Sequence, residues 1–471
     1  MALGASLRGY ARIAARARKP YALSAWDPAD MAPRGSTARG LASVRGEAQE
    51  VREMVRIVGF DCAEDEHAAV LLDEHGGFEK RIKVVNRRDR VEEALARLMV
   101  EVGPRSRLVV VVESKRSHGR IVCDVAGQLG CEVWQVNTVA LNHFRSVEGQ
   151  PRKDDDWDAY LAGRMVYMRA RGCRVVTEMT DEERALSRLT RAYVRLTGDM
   201  TQQTLRLRAI LLELAPEMLH RSWQGPKPNS KAMIYLLKRW PGFEGVQRAQ
   251  LRSIEKILHR CRYGNDATRI ATLIREMARR ISMPAEERAA ITMELDLLVQ
   301  QIATLKSSQA KLLAEIEHRV KSHPVGQKLL EVHGIGPVIA GVLISELLPV
   351  ARTGTEGECA TFAGVTPIGR KSGKSRDNAD LARGVNKRIL HALYTSSVAA
   401  VKSSAVDRAY YHKKLRDYAG HPKPHVAAFI ALSRQRHKLI FKLMTTDARY
   451  NKEVLIARHL ERIEAAQGAA A

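Results

Sequence analysis

The sequence predicts an α/β plus all-α protein: a sheet-containing N-terminal domain, a long helical connection and a mainly helical C-terminal domain. Apolar runs with strand periodicity alternate with helical stretches across residues 55–178. A heptad pattern runs from Ile291 to Ile316. Apolar helical stretches punctuated by Gly-rich turns occupy residues 325–446.

Residues 1–54 are rich in Arg, Ala and Gly and carry no acid before Asp27. They read as a basic, disordered arm, although the composition also resembles an organellar transit peptide or an over-extended start. Val55–Phe60 reads as a buried strand ending at Asp61. His67–Asp73 and Phe78–Val85 read as two further strands joined by His75-Gly76-Gly77. Residues 89–102 are helical in pattern. Leu108–Val112 is an apolar run of β-formers ending at Glu113, as a central strand would be. A helix over His118–Leu129, a strand over Glu132–Val136 and a helix from Asp155 to about Arg169 complete a ribonuclease-H-like order.

Residues 179–324 are helical and basic. Ile291, Leu295, Leu298, Ile302, Leu305, Leu312 and Ile316 alternate at spacings of four and three, with Gln309 at the missing seam position. This predicts a coiled coil serving subunit assembly, or else a long helix packed inside its own domain. Residues 351–385 read mostly as loop, residues 385–403 and 424–444 as helix, and residues 447–471 as a helical or frayed tail.

Lys and Arg number 77 against 53 Asp and Glu, a net charge of +24 that calls for a polyanionic partner. A basic membrane-surface or ribosome-associated protein is the alternative on charge alone. No apolar run approaches the ~18 residues of a membrane span. The 6 cysteines form no C-x-x-C pair, which argues against a zinc or redox motif and for reduced, cytoplasmic thiols. Aromatic residues make up only 5%, which does not suggest a base-stacking platform.

Asp61 and Glu113 end predicted strands, and strand ends of an open α/β sheet face one crevice. Asp155 and Asp158 are three apart on a helix and share a face; Asp154, four before Asp158, competes with Asp155. Four converging carboxylates repel one another without a cation. With two Mg²⁺ ions they suit in-line attack at a phosphodiester.

In the C-terminal domain, His333-Gly334-Ile335-Gly336-Pro337 matches a helix-hairpin-helix turn whose backbone N–H groups could meet a phosphate at Gly334 and Gly336. Arg370, Lys371, Ser372 and Lys374 form a basic Ser-Gly loop. Arg383, Lys387 and Arg388 add cations at the start of a helix. A serine there could act as a nucleophile if its pKa were lowered, or the loop could simply contact phosphate. Tyr410 and Tyr411 are alternative nucleophiles without an evident Arg/His set. His421, Lys423 and His425 read as a basic helix start.

Taken in order, these segments resemble the DEDD transposases of the insertion-sequence "one-ten" family, the bridge-RNA-guided recombinases. The resemblance runs from about Val55 to about Met444. It rests on Ile57-Val58-Gly59-Phe60-Asp61, Val111-Val112-Glu113 and the Lys153-x-Asp155-x-x-Asp158-Ala159 box. In the last domain it rests on Gly334-Ile335-Gly336-Pro337, Ala363-Gly364, Pro367, Ser372-Gly373 and Gly384-x-Asn386-x-Arg388. The resemblance implies a RuvC-like domain, a coiled-coil connection and a C-terminal transposase domain. It implies Mg²⁺ between Asp61, Glu113, Asp155 and Asp158, and Ser372 as the nucleophile that becomes a phosphoserine. It also implies double-stranded DNA (element ends and target), a structured guide RNA and a homo-oligomer, dimer or tetramer, in the bacterial cytoplasm at the nucleoid. Lys374 stands where the family often has a second Gly, so Ser375 competes with Ser372.

Overall fold

The computed structural model describes residues 54–451 apart from 104–105, 149–153, 171, 264–265, 371–377 and 382–383. Two compact units divide at Glu53 and Met54. The first, with the predicted basic arm, lies outside the described residues, as does the tail beyond Asn451.

Six strands form one mixed sheet in the order β3-β2-β1-β4-β5-β6. They are β1 (Met54–Asp61), β2 (Glu66–Leu72), β3 (Phe78–Val85), β4 (Ser106–Val112), β5 (Glu132–Val136) and β6 (Cys173–Val175). β1, β4 and β5 run parallel, while β2, β3 and β6 are antiparallel to their neighbours. This order fits the ribonuclease-H-like reading. The central strands read as continuous apolar runs because both their faces are covered. Val58, Phe60, Val110 and Val112 pack under α1 (Arg88–Val102) and α2 (Arg120–Gln128). Ile57, Val109 and Val111 pack under α3 (Thr138–Val147) and α4 (Asp155–Tyr167). Edge strand β3 exposes Glu79, Lys80, Arg81 and Lys83, charges that discourage further pairing.

Two elements here have no counterpart in the sequence reading. α3 buries only Leu141, so it carries little helical stripe, although Asn137 caps it by accepting from the N–H groups of Val139 and Ala140. β6 is three residues long with exposed Arg174 and Val175, and it exists through pairing with β5.

α4 crosses β1 at very close range. A Cβ on Gly59 would lie 2.0 Å from the Ala159 carbonyl oxygen and 2.9 Å from the Gly163 nitrogen. Both are backbone atoms and cannot swing aside. Gly59→Ala is therefore expected to cost about 3 kcal/mol, the upper end for overpacking. Thermal melting should show it, and the displaced α4 should slow catalysis as well.

The helical connection is an antiparallel pair, α5 (Asp181–Leu214) and the helix Ala285–Ser322. A capping box between Thr180 and Glu183 starts α5. At the pair's far end, α6 (Lys231–Arg239), α7 (Leu251–Arg260) and α8 (Ala267–Arg280) close a core with Leu207, Leu211, Leu295 and Ile302. The helix Ala285–Ser322 is then α9. Its Gln309 donates to Thr197 Oγ1 at 2.9 Å, and Arg319 lies 3.7 Å from Glu182. The heptad spacing thus finds a partner helix within the same chain, with Gln309 meeting a polar mate at the seam.

The C-terminal domain comprises α10 (Pro324–Leu330), α11 (Pro337–Glu346), α12 (Leu348–Ala351), α13 (Glu356–Ala363), β7 (Pro367–Arg370), β8 (Asn378–Leu381), α14 (Lys387–Ser403), α15 (Ala405–Asp417) and α16 (Pro424–Thr445). The stretch 351–385, read mostly as loop, holds α13 and the β7–β8 pair. α13 is only eight residues long, started by a Thr355–Glu358 capping box and stopped by left-handed Gly364. Such a short helix gives no periodic signal. α15 likewise carries no apolar stripe in the sequence, since Tyr411 is its one buried residue. α11 crosses the base of the helical pair, where a Cβ on Gly341 would lie 3.0 Å from Thr190 and 3.4 Å from Ile316. Among the described residues, no helix is long and apolar enough to cross a membrane. All six cysteines are free.

Candidate active site

β1 and β4 pair in parallel through Phe60 and Val112, so Asp61 and Glu113 are the next residues along the two adjacent strands. Alternation along the strands puts both on the α3–α4 face, with Ile57, Val109 and Val111. Burial pushes the neighbouring Cys62 thiol up to about 12, and Cys123, Asp61 and Glu113, all within electrostatic reach of this sulfur, add to the shift. Gln135 of β5 donates to the Glu113 carbonyl at 3.0 Å and fixes the start of the loop beyond β4.

The close packing of α4 on Gly59 brings the helix N-terminus towards this end of β1. Register links the end of β1 to the far edge, with Asp61 opposite Ala68 and Ala68 opposite Lys83. Lys83 in turn lies within electrostatic reach of Asp155 and Asp156. Asp158 is 6% exposed, and Arg145 of α3 donates to its Oδ1 through Nε at 2.9 Å and Nη2 at 2.5 Å. Asp154 is the N-cap of α4 and accepts from the Asp156 N–H at 3.0 Å. Asp155 is exposed in the first turn. Asp61, Glu113 and the α4 acids thus share one end of one face. Among the described residues, no group of three or more His, Cys, Asp or Glu side chains closes to metal-holding geometry. Asp158 is instead ion-paired with Arg145. Arg145 has little signal in the sequence, because α3 buries only Leu141 and shows no stripe; an Arg ahead of an acidic cluster is the one pointer to it.

The C-terminal candidates have varied settings. Gly334 has φ +80, and a Cβ there would lie 2.4 Å from the Ser396 carbonyl oxygen; its glycine character serves close approach to α14. Gly336 is the N-cap of α11 and opens on free space. Arg370 ends β7, paired in register with Asn378. Lys371, Ser372, Lys374, Ser375 and Arg383 lie outside the described residues. Lys387 is exposed in the first turn of α14. Arg388 turns inward: Nη1 reaches Glu346 at 2.5 Å and Nη2 donates to Thr190 Oγ1 at 2.9 Å. Tyr411, weighed above as a nucleophile, is buried against Phe429, with its hydroxyl 2.6 Å from His425 Nδ1.

Glu346 is the centre of a charge cluster not apparent in the sequence. It is 8% exposed. Its Oε1 accepts from Arg116 at 3.0 Å, Arg191 at 2.6 Å and Arg388, while Oε2 accepts from Asn386 at 3.1 Å. One carboxylate thereby ties the loop after β4, helix α5 and the start of α14 to α11. The available signal was Glu346 as the one charged residue in the run from Val338 to Leu348.

A mixed sheet with paired acids at its strand ends, joined to a helical domain, defines a class of DNA-processing enzyme. Comparison with known proteins gives the family. A DEDD transposase model matches residues 58–216, and the model of the transposase IS116/IS110/IS902 family matches residues 326–412. The uncharacterized 43.6 kDa protein of insertion element IS110 from Streptomyces coelicolor is 23% identical over 348 residues, 74% of this chain and 84% of that protein. The uncharacterized 44.8 kDa protein of IS116 from Streptomyces clavuligerus is 23% identical over 82% of this chain and 94% of that protein. The 42 kDa protein of IS900 from Mycobacterium paratuberculosis is 24% identical over 47% of this chain. The chain belongs to the IS110 family of transposases, enzymes that cut and rejoin DNA.

Proposed function

We propose that this transposase moves an insertion element by serine-mediated strand exchange, with a Mg²⁺-dependent acidic site. The observation that supports it best is the placement of Asp61 and Glu113 on adjacent parallel strand ends, with Asp158 on the helix packed over the same face. Asp61, Glu113, Asp155 and Asp158 offer the hard oxygen donors that two Mg²⁺ ions take, and these ions would supply Lewis-acid polarisation of the scissile phosphate. In this reading Ser372 Oγ forms a phosphoester bond to the DNA strand, and the displaced sugar oxygen leaves as a hydroxyl carrying the serine proton. Arg370, Lys371, Lys374, Arg383 and Lys387 hold backbone phosphates around that serine. Arg388 acts indirectly, by anchoring α14 to Glu346. The net charge of +24 and the family resemblance support a structured guide RNA, a homo-oligomer bringing acids and serine together, and a place at the nucleoid.

A covalent-trapping assay tests this. Protein, the element's flanking non-coding RNA, Mg²⁺ and labelled element-end DNA are mixed, denatured and resolved on a gel. A protein–DNA adduct is expected, lost in Ser372→Ala and kept in Ser375→Ala. Cleaved DNA without adduct, unchanged in Ser372→Ala, would replace the serine with water as nucleophile.

A further inference from the structure

A cleft of about 1700 Å³ runs between α2 on one side and α5 on the other. Arg184, Arg188, Arg191 and Arg195 line it from α5. Their spacings of four, three and four put them on one helix face. The stripe is about 16 Å long at 1.5 Å per residue, enough to follow successive phosphates of a strand. Arg184 is paired with Asp181 and Arg191 with Glu346, whereas Arg188 and Arg195 make no hydrogen bond or ion pair among the described residues.

A recess of about 30 Å³ opens where the cleft meets the C-terminal domain; Lys115, Arg174 and Phe362 line both. Lys115 makes no hydrogen bond or ion pair among the described residues. Arg174 stacks over the Phe362 ring at 4.7 Å and donates to neutral Gln135 at 2.8 Å. Around them stand Arg116, Arg191 and Arg388, sharing the single carboxylate of Glu346. The cluster is therefore short of negative charge. Lys115 and Arg174 share the recess with one carboxylate, Glu346, which Arg116, Arg191 and Arg388 already engage; such an excess of cations costs the free protein stability, and an anion would relieve it. The recess has the room of about two waters, which suits the non-bridging oxygens of one phosphodiester.

We infer that this cleft is a nucleic-acid backbone track in which Lys115 and Arg174 together grip one phosphate and the α5 arginines follow the strand. Lys115 lies two residues beyond Glu113 in the chain. The inference rests on the reading of the chain as a transposase, and its test is independent of cleavage. The strand can be DNA or RNA, because the recognised chemistry is the phosphodiester.

The test is binding by the full chain in EDTA to labelled single-stranded DNA, duplex DNA and structured RNA, across a salt series. The expected result for Lys115→Gln/Arg174→Gln is binding about tenfold weaker, with the log–log salt slope shallower by about one. Whichever nucleic acid shows the change is the one that occupies the track. Lys311→Gln, an exposed change on α9, should leave binding unaltered, and Lys115→Arg should restore it. Removing an uncompensated charge should leave the melting temperature of Lys115→Gln unchanged or higher. An unchanged slope with all three nucleic acids overturns the inference while leaving the transposase reading intact. A lower melting temperature for Lys115→Gln also overturns it, since Lys115 would then be structural.

Discussion

Asp61→Asn and Glu113→Gln are each expected to lower DNA strand cleavage by about ten-thousandfold while leaving the protein folded and able to bind DNA. Both substitutions keep the shape of the side chain and remove only its charge. The two residues sit side by side at the ends of β1 and β4, beyond strands whose cores remain untouched. Neither change opens a cavity, so the melting temperature should move little. Catalysis differs, because a site that stabilises charge at a phosphate loses most of its rate when one donor is neutralised. Groups that act as one unit are also non-additive, so the double variant should be hardly worse than either single one. Single-turnover cleavage of element-end DNA measures this. Cleavage by Asp61→Asn within tenfold of the unaltered protein would place the acidic site elsewhere.

The acidic strand ends were legible in the sequence because their signal is local. An apolar run that stops at an acid, as at Phe60-Asp61 and Val112-Glu113, states both the strand and the direction of its functional end. The heptads were legible for the same reason, but their partner was not. Periodicity reveals that Ile291–Ile316 has a seam, not whether α5 of the same chain or another subunit fills it. Arg145 escaped notice because α3 is made by capping and by one buried leucine rather than by a stripe. The Glu346 cluster was beyond local reading. Its partners come from positions 116, 187, 191, 386 and 388, and only the folded chain brings them together. Arg388 shows the cost of reading charge alone: counted as a phosphate contact in the sequence, its guanidinium reaches inward to a carboxylate.

Glu346→Ala is expected to destabilise the junction of the two domains by about 3–5 kcal/mol, the range for removing one partner of a buried ion pair. The loss exceeds that of a surface salt bridge because Arg116, Arg191 and Arg388 remain behind with their positive charges together and no acid between them. Hydrogen exchange reads it locally: amides of α11 and α14 should exchange roughly a hundred- to several-thousandfold faster, at 1.4 kcal/mol per tenfold. Amides of the distal core formed by α6, α7 and α8 should be unaffected, since that core shares no contact with Glu346. Removing a cation as well, in Glu346→Ala/Arg388→Met, should recover part of the loss, because the second change lowers the repulsion left by the first. The proposed phosphate grip adds a further consequence. With Glu346 gone, a bound backbone phosphate becomes the nearest negative charge for these arginines, so nucleic acid should slow exchange more in Glu346→Ala than in the unaltered protein. Equal protection in both would mean that the Glu346 cluster and the recess at Lys115 act independently. A larger effect in the variant would show that the junction holding the sheet domain to the C-terminal domain is tuned to be completed by the strand it processes.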